Sequence, residues 1–318
     1  MNSDIQVSII CNTYNQESYI RDALEGFVMQ KTDFNFEVLV HDDASTDKTA
    51  DIIREYEKKY PELIKPIYQT VNQHSQNIKI NVTYQIPRMK GKYAAPCEGD
   101  DYWTDPLKLQ KQYDFMESHK EYSMCACAAT WRNMRDNIDE DQFIIDSDKD
   151  VSLSDLILET NGRIFPTVSV FIKKELYADY PTWRLLFPVG DLAFFMIAGM
   201  NGKIRMLSDN MCVYRWHAAG SWTNSMENEE KKKVFKRKFI KAFEELNQAT
   251  DLKYNDLISE RLKKEKFDLA VLEHDWKKIK SDELKDIVSS MPLKTRTAIF
   301  VKCRLPWLFR ILSGDKTK

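Results

Sequence analysis

The feature that most constrains this chain is the regular alternation of short apolar runs with amphipathic stretches over its first 130 residues. Val7-Ser8-Ile9-Ile10-Cys11 reads as a buried strand. Tyr19, Ile20, Ala23, Leu24, Phe27 and Val28 then recur at helical spacing. Phe36 to Val40 reads as a second strand ending at His41-Asp42-Asp43. Ser45, Thr46 or Asp47 caps a helix that carries Ile52, Ile53 and Tyr56 on one face and stops before Pro61. The pattern predicts a third strand at Ile64 to Tyr68, a helix around 76–86 and a fourth strand at Tyr93-Ala94-Ala95. A helix from about Pro106 to Ser118 and a strand from Tyr122 to Thr130 follow. Alternation of this kind predicts the α/β class, with a mostly parallel, Rossmann-like central sheet flanked by helices. Ligands of such sheets bind beyond the carboxyl ends of the strands. The residues to read for chemistry are therefore Asn12-Thr13-Tyr14-Asn15, Asp42-Asp43 and Glu98-Gly99-Asp100-Asp101.

Further on, 132–150 is polar and acidic and reads as a loop. Val168 to Ile172 is strand-like, and Phe187-Pro188-Val189-Gly190-Asp191 leads into an apolar helix, Leu192 to Met200. Met211 to Trp216 predicts a strand ending at His217. Composition shifts near residue 226, after which Phe235, Phe239, Phe243 and Leu246 share one helical face among many charges. The expected division is a catalytic domain over 1–225 and a helical C-terminal region over 226–318.

At 318 residues and 43% hydrophobic composition the chain can bury a large core. A formal net charge of -2 gives it no general attraction for nucleic acid. The cysteines, at 11, 97, 125, 127, 212 and 303, sit mostly in apolar runs, as buried free thiols do. Cys125 and Cys127 lack the second pair that a zinc site needs. This usage suits a reducing cytoplasm. The first residues are polar and show no signal peptide, and no run approaches the roughly 20 apolar residues of a spanning helix. The expected location is cytoplasmic, in solution or at the inner face of the cell membrane.

Glu98, Asp100 and Asp101 crowd three carboxylates into four residues. The cluster is either a solvated acidic loop or a site where a hard divalent cation offsets the repulsion. Asp42-Asp43 is either part of a helix cap or a reader of a base or ribose. Tyr14 is either a core ring or a platform for a nucleobase, a contact worth about 1–3 kcal/mol. Asp191 either caps its helix or serves as a general base in a cleft. His217 is either a structural histidine or, two residues past Arg215 and three before Gly220, part of a stretch suited to phosphate.

The order and spacing of these motifs carry more than any one of them. Val-Ser-Ile-Ile-Cys-Asn-Thr-Tyr-Asn-Gln, Val-Leu-Val-His-Asp-Asp-Ala-Ser-Thr-Asp and Glu-Gly-Asp-Asp-Tyr-Trp-Thr-Asp-Pro-Leu-Lys-Leu resemble the family 2 glycosyltransferases. Phe-Pro-Val-Gly-Asp-Leu and Tyr-Arg-Trp-His-Ala-Ala-Gly-Ser-Trp resemble that family's later motifs, so that the likeness covers about residues 5–225. The resemblance implies a GT-A fold and a hexosyltransferase-type enzyme that uses a nucleotide-sugar donor, with UDP the expected carrier. It also implies Mn²⁺ or Mg²⁺ and inversion at the anomeric carbon. The donor-binding half would span about 1–130 and the acceptor-binding half about 131–225.

Residue by residue, the resemblance implies that Tyr14 packs on uracil, with Asn12 and Asn15 in the same loop. Asp43 would read the base, Asp100 would lie near the ribose, and Asp101, five residues before Pro106, would be the metal ligand. Asp191 matches the general base, and His217 the late histidine that in some members reaches the metal or the diphosphate. Glu17, Asp42, Glu98 and Arg215 are supporting candidates. The chain departs from the family in having Cys11-Asn12 where Pro is frequent and Glu98 where Asp is frequent. Bacterial members often build surface polysaccharide on glycan or lipid-linked glycan acceptors. A nucleotidyltransferase would also need carboxylates and a metal, but it would usually show a Gly-rich phosphate loop, and none is present near the N-terminus. A non-catalytic nucleotide-sugar-binding protein is the other alternative.

The segment 294–312 mixes Lys294, Arg296, Lys302, Arg304 and Arg310 with aromatic and aliphatic residues and is interrupted by Pro306. It suits either an anionic membrane surface or packing on the protein's own core or on a second copy in a homodimer.

Overall fold

The computed structural model describes residues 4–159, 164–218 and 228–305. It opens with β1 (Ile5–Thr13), α1 (Ile20–Val28), β2 (Asn35–Asp42), α2 (Thr49–Lys59) and β3 (Ile64–Tyr68). β4 (Tyr93–Pro96), β5 (Tyr102–Trp103), α3 (Lys108–Ser118) and β6 (Tyr122–Asn133) follow. Then come β7 (Ile138–Phe143), β8 (Lys149–Val151), α4 (Leu153–Leu158), β9 (Phe171–Lys173), α5 (Lys174–Tyr177) and α6 (Thr182–Leu186). α7 (Gly190–Asn201) and β10 (Lys203–Trp216) lead to the helices α8 (Glu229–Ala249), α9 (Asn255–Leu272), α10 (Trp276–Ile279), α11 (Lys285–Ser290) and α12 (Leu293–Arg304).

The sheet runs in the order β3-β2-β1-β4-β9-β6-β10-β5, with β7 added to β6 and β8 to β10. β3, β2, β1 and β4 are mutually parallel, as are β6 and β10, whereas β9 pairs antiparallel with both β4 and β6. Parallel strands covered on both faces read as continuous apolar runs. Accordingly Val7, Ile9 and Cys11 of β1 and Val38 and Val40 of β2 are fully buried, packed with Leu24 and Phe27 of α1. This is the α/β architecture expected from the alternation.

Several local expectations need correction. The helix expected at 76–86 is instead a 3₁₀ turn His74–Gln76, a π turn Asn81–Gln85 and a 3₁₀ turn Ile86–Arg88, with Pro87 near the start of the last. The strand expected at Val168 to Ile172 is a 3₁₀ turn, Thr167–Ser169, followed by β9. The acidic stretch 132–150 is a β-ribbon, in which Arg132 and Asp139 face each other and form an ion pair at 2.7 Å. The final strand begins at 203 rather than 211. A register shift around Ser208–Asn210 interrupts its apolar pattern, and Asp148 accepts from the Ser208 N–H at 2.8 Å there.

One close approach fixes α1. A Cβ on Gly26 would meet the Trp103 backbone nitrogen at 2.9 Å, so the helix lies directly against β5 and only glycine fits.

The chain divides into two units: Met1–Tyr180 with Asp191–Asn224, and Pro181–Gly190 with Ser225–Lys318. In the second, Phe187 packs edge-on against Phe239 and Phe243, which lie on the α8 face read from the sequence. Arg261 and Glu265 form a buried ion pair there, which Lys236 joins. Ile279, Leu284 and Cys303 are buried with Phe267 and Ala270 in a small separate core. Among the described residues no helix is long and apolar enough to cross a membrane.

Candidate active site

The site forms where β1, β2 and β4 end, as the strand-end rule predicts. Past β4 the chain keeps pairing with β1, because the Cys97 N–H donates to Ile10 O at 2.9 Å and the Gly99 N–H to Asn12 O at 3.0 Å. A Cβ on Gly99 would meet the Thr13 Cβ at 2.8 Å, so the carboxylate loop presses against the first strand. The Asp101 N–H closes a turn on Glu98 O at 3.1 Å, which packs the three acidic residues into one tight loop.

Their electrostatics follow from that crowding. Burial, with Asp100 and Asp191 nearby, pushes Glu98 up to about 8. Burial also raises Asp100, and burial together with Asp100 raises Asp101 well above the ordinary carboxylate range. Asp191 is raised by burial, against a Leu192 N–H that donates to its Oδ1 at 2.8 Å and the Thr167 hydroxyl 3.4 Å from its Oδ2. Asp191 therefore holds the N–H of the next residue at its helix start and lies close enough to Glu98 to raise it.

The nucleotide-side candidates divide by what they already hold. Asn15, at φ 51°, accepts the Thr46 N–H at 2.7 Å, and Glu17 accepts the Lys48 N–H at 2.9 Å. Both knit the first loop to the second. Asp47 accepts the Thr49 N–H at 2.9 Å from just outside α2, so of the three cap candidates it is the one that meets the helix start. The Asn12 Nδ2 donates to Asn81 at 2.9 Å, its Oδ1 accepts from Gln85 at 3.0 Å, and it also reaches Glu98. Asp43 is 2% exposed. It accepts the backbone N–H groups of Gln73 at 2.7 Å and His74 at 3.0 Å, which fastens the 71–77 stretch over the end of β2. Asp42 is buried too, raised by that burial, with one carboxylate oxygen lacking a partner. Tyr14 is 46% exposed at the strand end, open to a planar ligand.

Arg215 and His217 come from the end of β10. Arg215 is buried, donating to Asp100 O at 2.9 Å and ion-paired with Asp22. Two of its guanidinium nitrogens are thereby engaged within the protein. His217 has a left-handed backbone, φ 61°, and its ring lies 3.9 Å from that of Trp216. Such strain in a non-glycine residue is characteristic of functional sites. Gly220, Ser221 and Trp222, the rest of that motif, lie outside the described residues.

Among the described residues no three His, Cys, Asp or Glu side chains converge into a ready-made cation cage. A Mg²⁺- or Mn²⁺-type site does not require one, since such ions take one or two carboxylates and complete their shell with substrate phosphate and water. The hard oxygen donors at Asp100 and Asp101 fit that pattern.

The family model of glycosyl transferase family 2 matches residues 8–180, more than half of the chain. This chain belongs to glycosyl transferase family 2. An uncharacterized protein of Mycobacterium tuberculosis is 37% identical over 234 residues, which cover 71% of this chain and 63% of that relative, less than two thirds of its length. The Bacillus subtilis glycosyltransferase TuaG, named for teichuronic acid biosynthesis, is 28% identical over 67% of this chain and 84% of its own. The Staphylococcus aureus TarS fragment 1–349, solved with UDP-GlcNAc, superposes with a TM-score of 0.60 at 20% identity over 94% of this chain and 79% of that one. The mannosyltransferase PcManGT of Pyrobaculum calidifontis, solved with GDP-Man and Mn²⁺, gives 0.54 at 16% identity over 98% and 84%. The fold is thus the GT-A fold of this family.

Sequence reasoning missed three residues that touch the candidate side chains. Asp22 is one charge on an amphipathic helix. Gln16 hydrogen-bonds Asp100 from an unremarkable loop position. Thr167 lies in a short turn with no periodic signal.

Proposed function

We propose that this family 2 enzyme transfers a sugar, with inversion, from a nucleoside-diphosphate sugar carried on UDP to a hydroxyl of a glycan or lipid-linked glycan acceptor. The observation that carries this reading is the gathering of Glu98, Asp100 and Asp101 at one strand end with Asp191 close enough to raise Glu98. Two carboxylate roles, cation holding and proton abstraction, are thereby available within one neighbourhood. TarS with UDP-GlcNAc and PcManGT with GDP-Man and Mn²⁺ support the donor class and the cation.

In this mechanism Tyr14 stacks on the base, Asp43 accepts from it, and Asn12 and Asp100 border the ribose. Asp101, with His217, would hold Mn²⁺ or Mg²⁺, which when bound offsets the charge of the diphosphate leaving group. Asp191 takes the proton of the acceptor hydroxyl as that oxygen attacks the anomeric carbon from the face opposite the diphosphate. The Leu192 N–H keeps one oxygen of Asp191 fixed and leaves the other toward Thr167 and the cleft.

Surface-polysaccharide biosynthesis at the inner membrane face supplies the setting for this reading. α12 supports it: Lys294, Arg296, Lys302 and Arg304 stand in a helix without an acidic residue. Beside it is a groove of about 480 Å³, lined by Trp276, Ile279, Lys280, Arg296 and Phe300. Residues 306–312 of the basic segment lie outside the described residues.

The deciding experiment screens UDP-, GDP- and dTDP-sugars for hydrolysis and transfer, with Mn²⁺, with Mg²⁺ and in EDTA. Turnover of a UDP-sugar that stops in EDTA and in Asp101→Asn is expected. Undiminished turnover in EDTA would remove the cation, and preference for GDP-sugars would remove uridine.

A further inference from the structure

The strongest unexplained feature is the buried guanidinium of Arg215. It is 7% exposed and reaches two separate parts of the chain, the 100–102 loop and the start of α1. Its own backbone N–H donates to Asp101 Oδ1 at 2.8 Å. Its side chain donates to the Asp100 carbonyl at 2.9 Å and ion-pairs with Asp22 on α1. The ring of Tyr102 lies 4.4 Å from the guanidinium carbon and that of Tyr19 5.2 Å away, so the plane is also held by aromatic faces. An arginine meant to meet a phosphate would keep donors toward the cleft; this one is committed inward.

We propose that Arg215 is a positioning residue that aims Asp101 at the cation, with Asp22 as the counter-ion that makes this placement workable. The inference rests on the reading that Asp101 takes a divalent cation. One oxygen of Asp101, a residue only 3% exposed, is engaged by the backbone N–H of Arg215, which fixes the carboxylate plane. The same residue's side chain grips the peptide one position earlier, so the loop cannot rotate about Asp100 without breaking that bond. A guanidinium alone would repel an arriving cation across a poorly solvated gap. Asp22 offsets that charge. Its side chain is 51% exposed and it stands on a helix seated against β5, so it anchors the arginine without a large burial cost of its own. Outer partners of this kind typically govern metal affinity by about 10–100-fold.

The test measures Mn²⁺ binding to the full chain by the loss of the free-ion paramagnetic resonance signal, with UDP at a fixed concentration. Wild type, Arg215→Lys and Asp22→Asn are compared, and UDP affinity without metal is measured alongside. Lysine keeps the charge but cannot grip the Asp100 carbonyl and Asp22 together. Both variants should bind Mn²⁺ about 10–100-fold more weakly, a loss clearly larger than any change in metal-free UDP affinity, with circular dichroism unchanged. If Arg215→Lys does not fold, Asp22→Asn carries the test, because it changes only a half-exposed side chain. Wild-type Mn²⁺ affinity in a folded variant would overturn the positioning role and leave the cation reading standing. Absence of Mn²⁺ binding in wild type would overturn both.

Discussion

Trp103 donates its indole N–H to the carbonyl of Val168 at 3.0 Å, joining the strand after the carboxylate loop to the turn that bears Thr167. The ring packs edge-on against Phe27 with the Lys108 ammonium 4.2 Å from its centre, so it cannot turn to another partner. Trp103→Phe keeps much of the packing and strips the Val168 carbonyl of its buried donor. A loss of about 1–3 kcal/mol in chemical denaturation is expected. Transfer should fall more than donor affinity, because Thr167 borders Asp191. Wild-type stability and rate together would mean that the link is incidental.

Asp191 predicts the pH profile. Burial raises its carboxyl above the ordinary range, and a general base must be ionised. Transfer should therefore rise with pH along an acid limb centred above the usual aspartate value, then level off. Asp191→Asn should lose about 10²–10⁴-fold in transfer while binding donor normally. The stability sign runs the other way. A carboxyl raised in the folded state favours the fold while protonated and loses that contribution as pH rises through its unfolded and then its folded value. Asp191→Asn should thus be at least as stable as wild type at neutral pH. A variant that unfolds would assign the residue to the helix cap alone.

Tyr14 tests the nucleotide. It is 46% exposed and so contributes little to folding. Tyr14→Ala should leave the melting temperature nearly unchanged and weaken UDP by about 1–3 kcal/mol in calorimetry. Unchanged UDP affinity would exclude stacking. Tighter binding of GDP than of UDP by the wild type would redirect the carrier without touching the transfer reaction.

The basic helix α12 tests the membrane reading. Cys303 is buried, and Phe300 packs edge-on against Trp276, so deleting the helix would open the small core. Charge reversal is the cleaner probe, since Lys294 and Arg296 are exposed. Lys294→Glu with Arg296→Glu should abolish sedimentation with vesicles rich in phosphatidylglycerol, each basic residue near such a surface being worth about 1 kcal/mol. Equal pelleting of both proteins, or none by either, would return the segment to the protein's own core.

The sequence was legible where one physical signal dominated. β1, β2, β4 and the helices between them follow directly from apolar runs and helical spacing, and the strand-end rule then located Asn12, Asp43 and the carboxylate loop. It was illegible where polar residues satisfy each other across strands. The charged ribbon of β6 and β7 looks like a loop until Arg132 and Asp139 are seen to face one another. Ser208-Asp209-Asn210 hid the first half of β10 because the register shifts there. The turns over 74–88 kept helix-like dihedrals in places but no single helix. Asp22 was unreadable for a different reason: its partner Arg215 lies 193 positions away, and nothing local announces an ion pair of that span.

The contact between Gly26 and the backbone of Trp103 constrains how this chain can diversify. A side chain at 26 would push α1 off β5, and with it the carboxylate that steadies Arg215. A substitution at 26 therefore disturbs the Asp22–Arg215 pair as well. The tip of the β7 ribbon, where Ile138 is 56% exposed, meets less restriction. Lineages should accordingly differ first in that ribbon, and long after that in the helix that lies against β5.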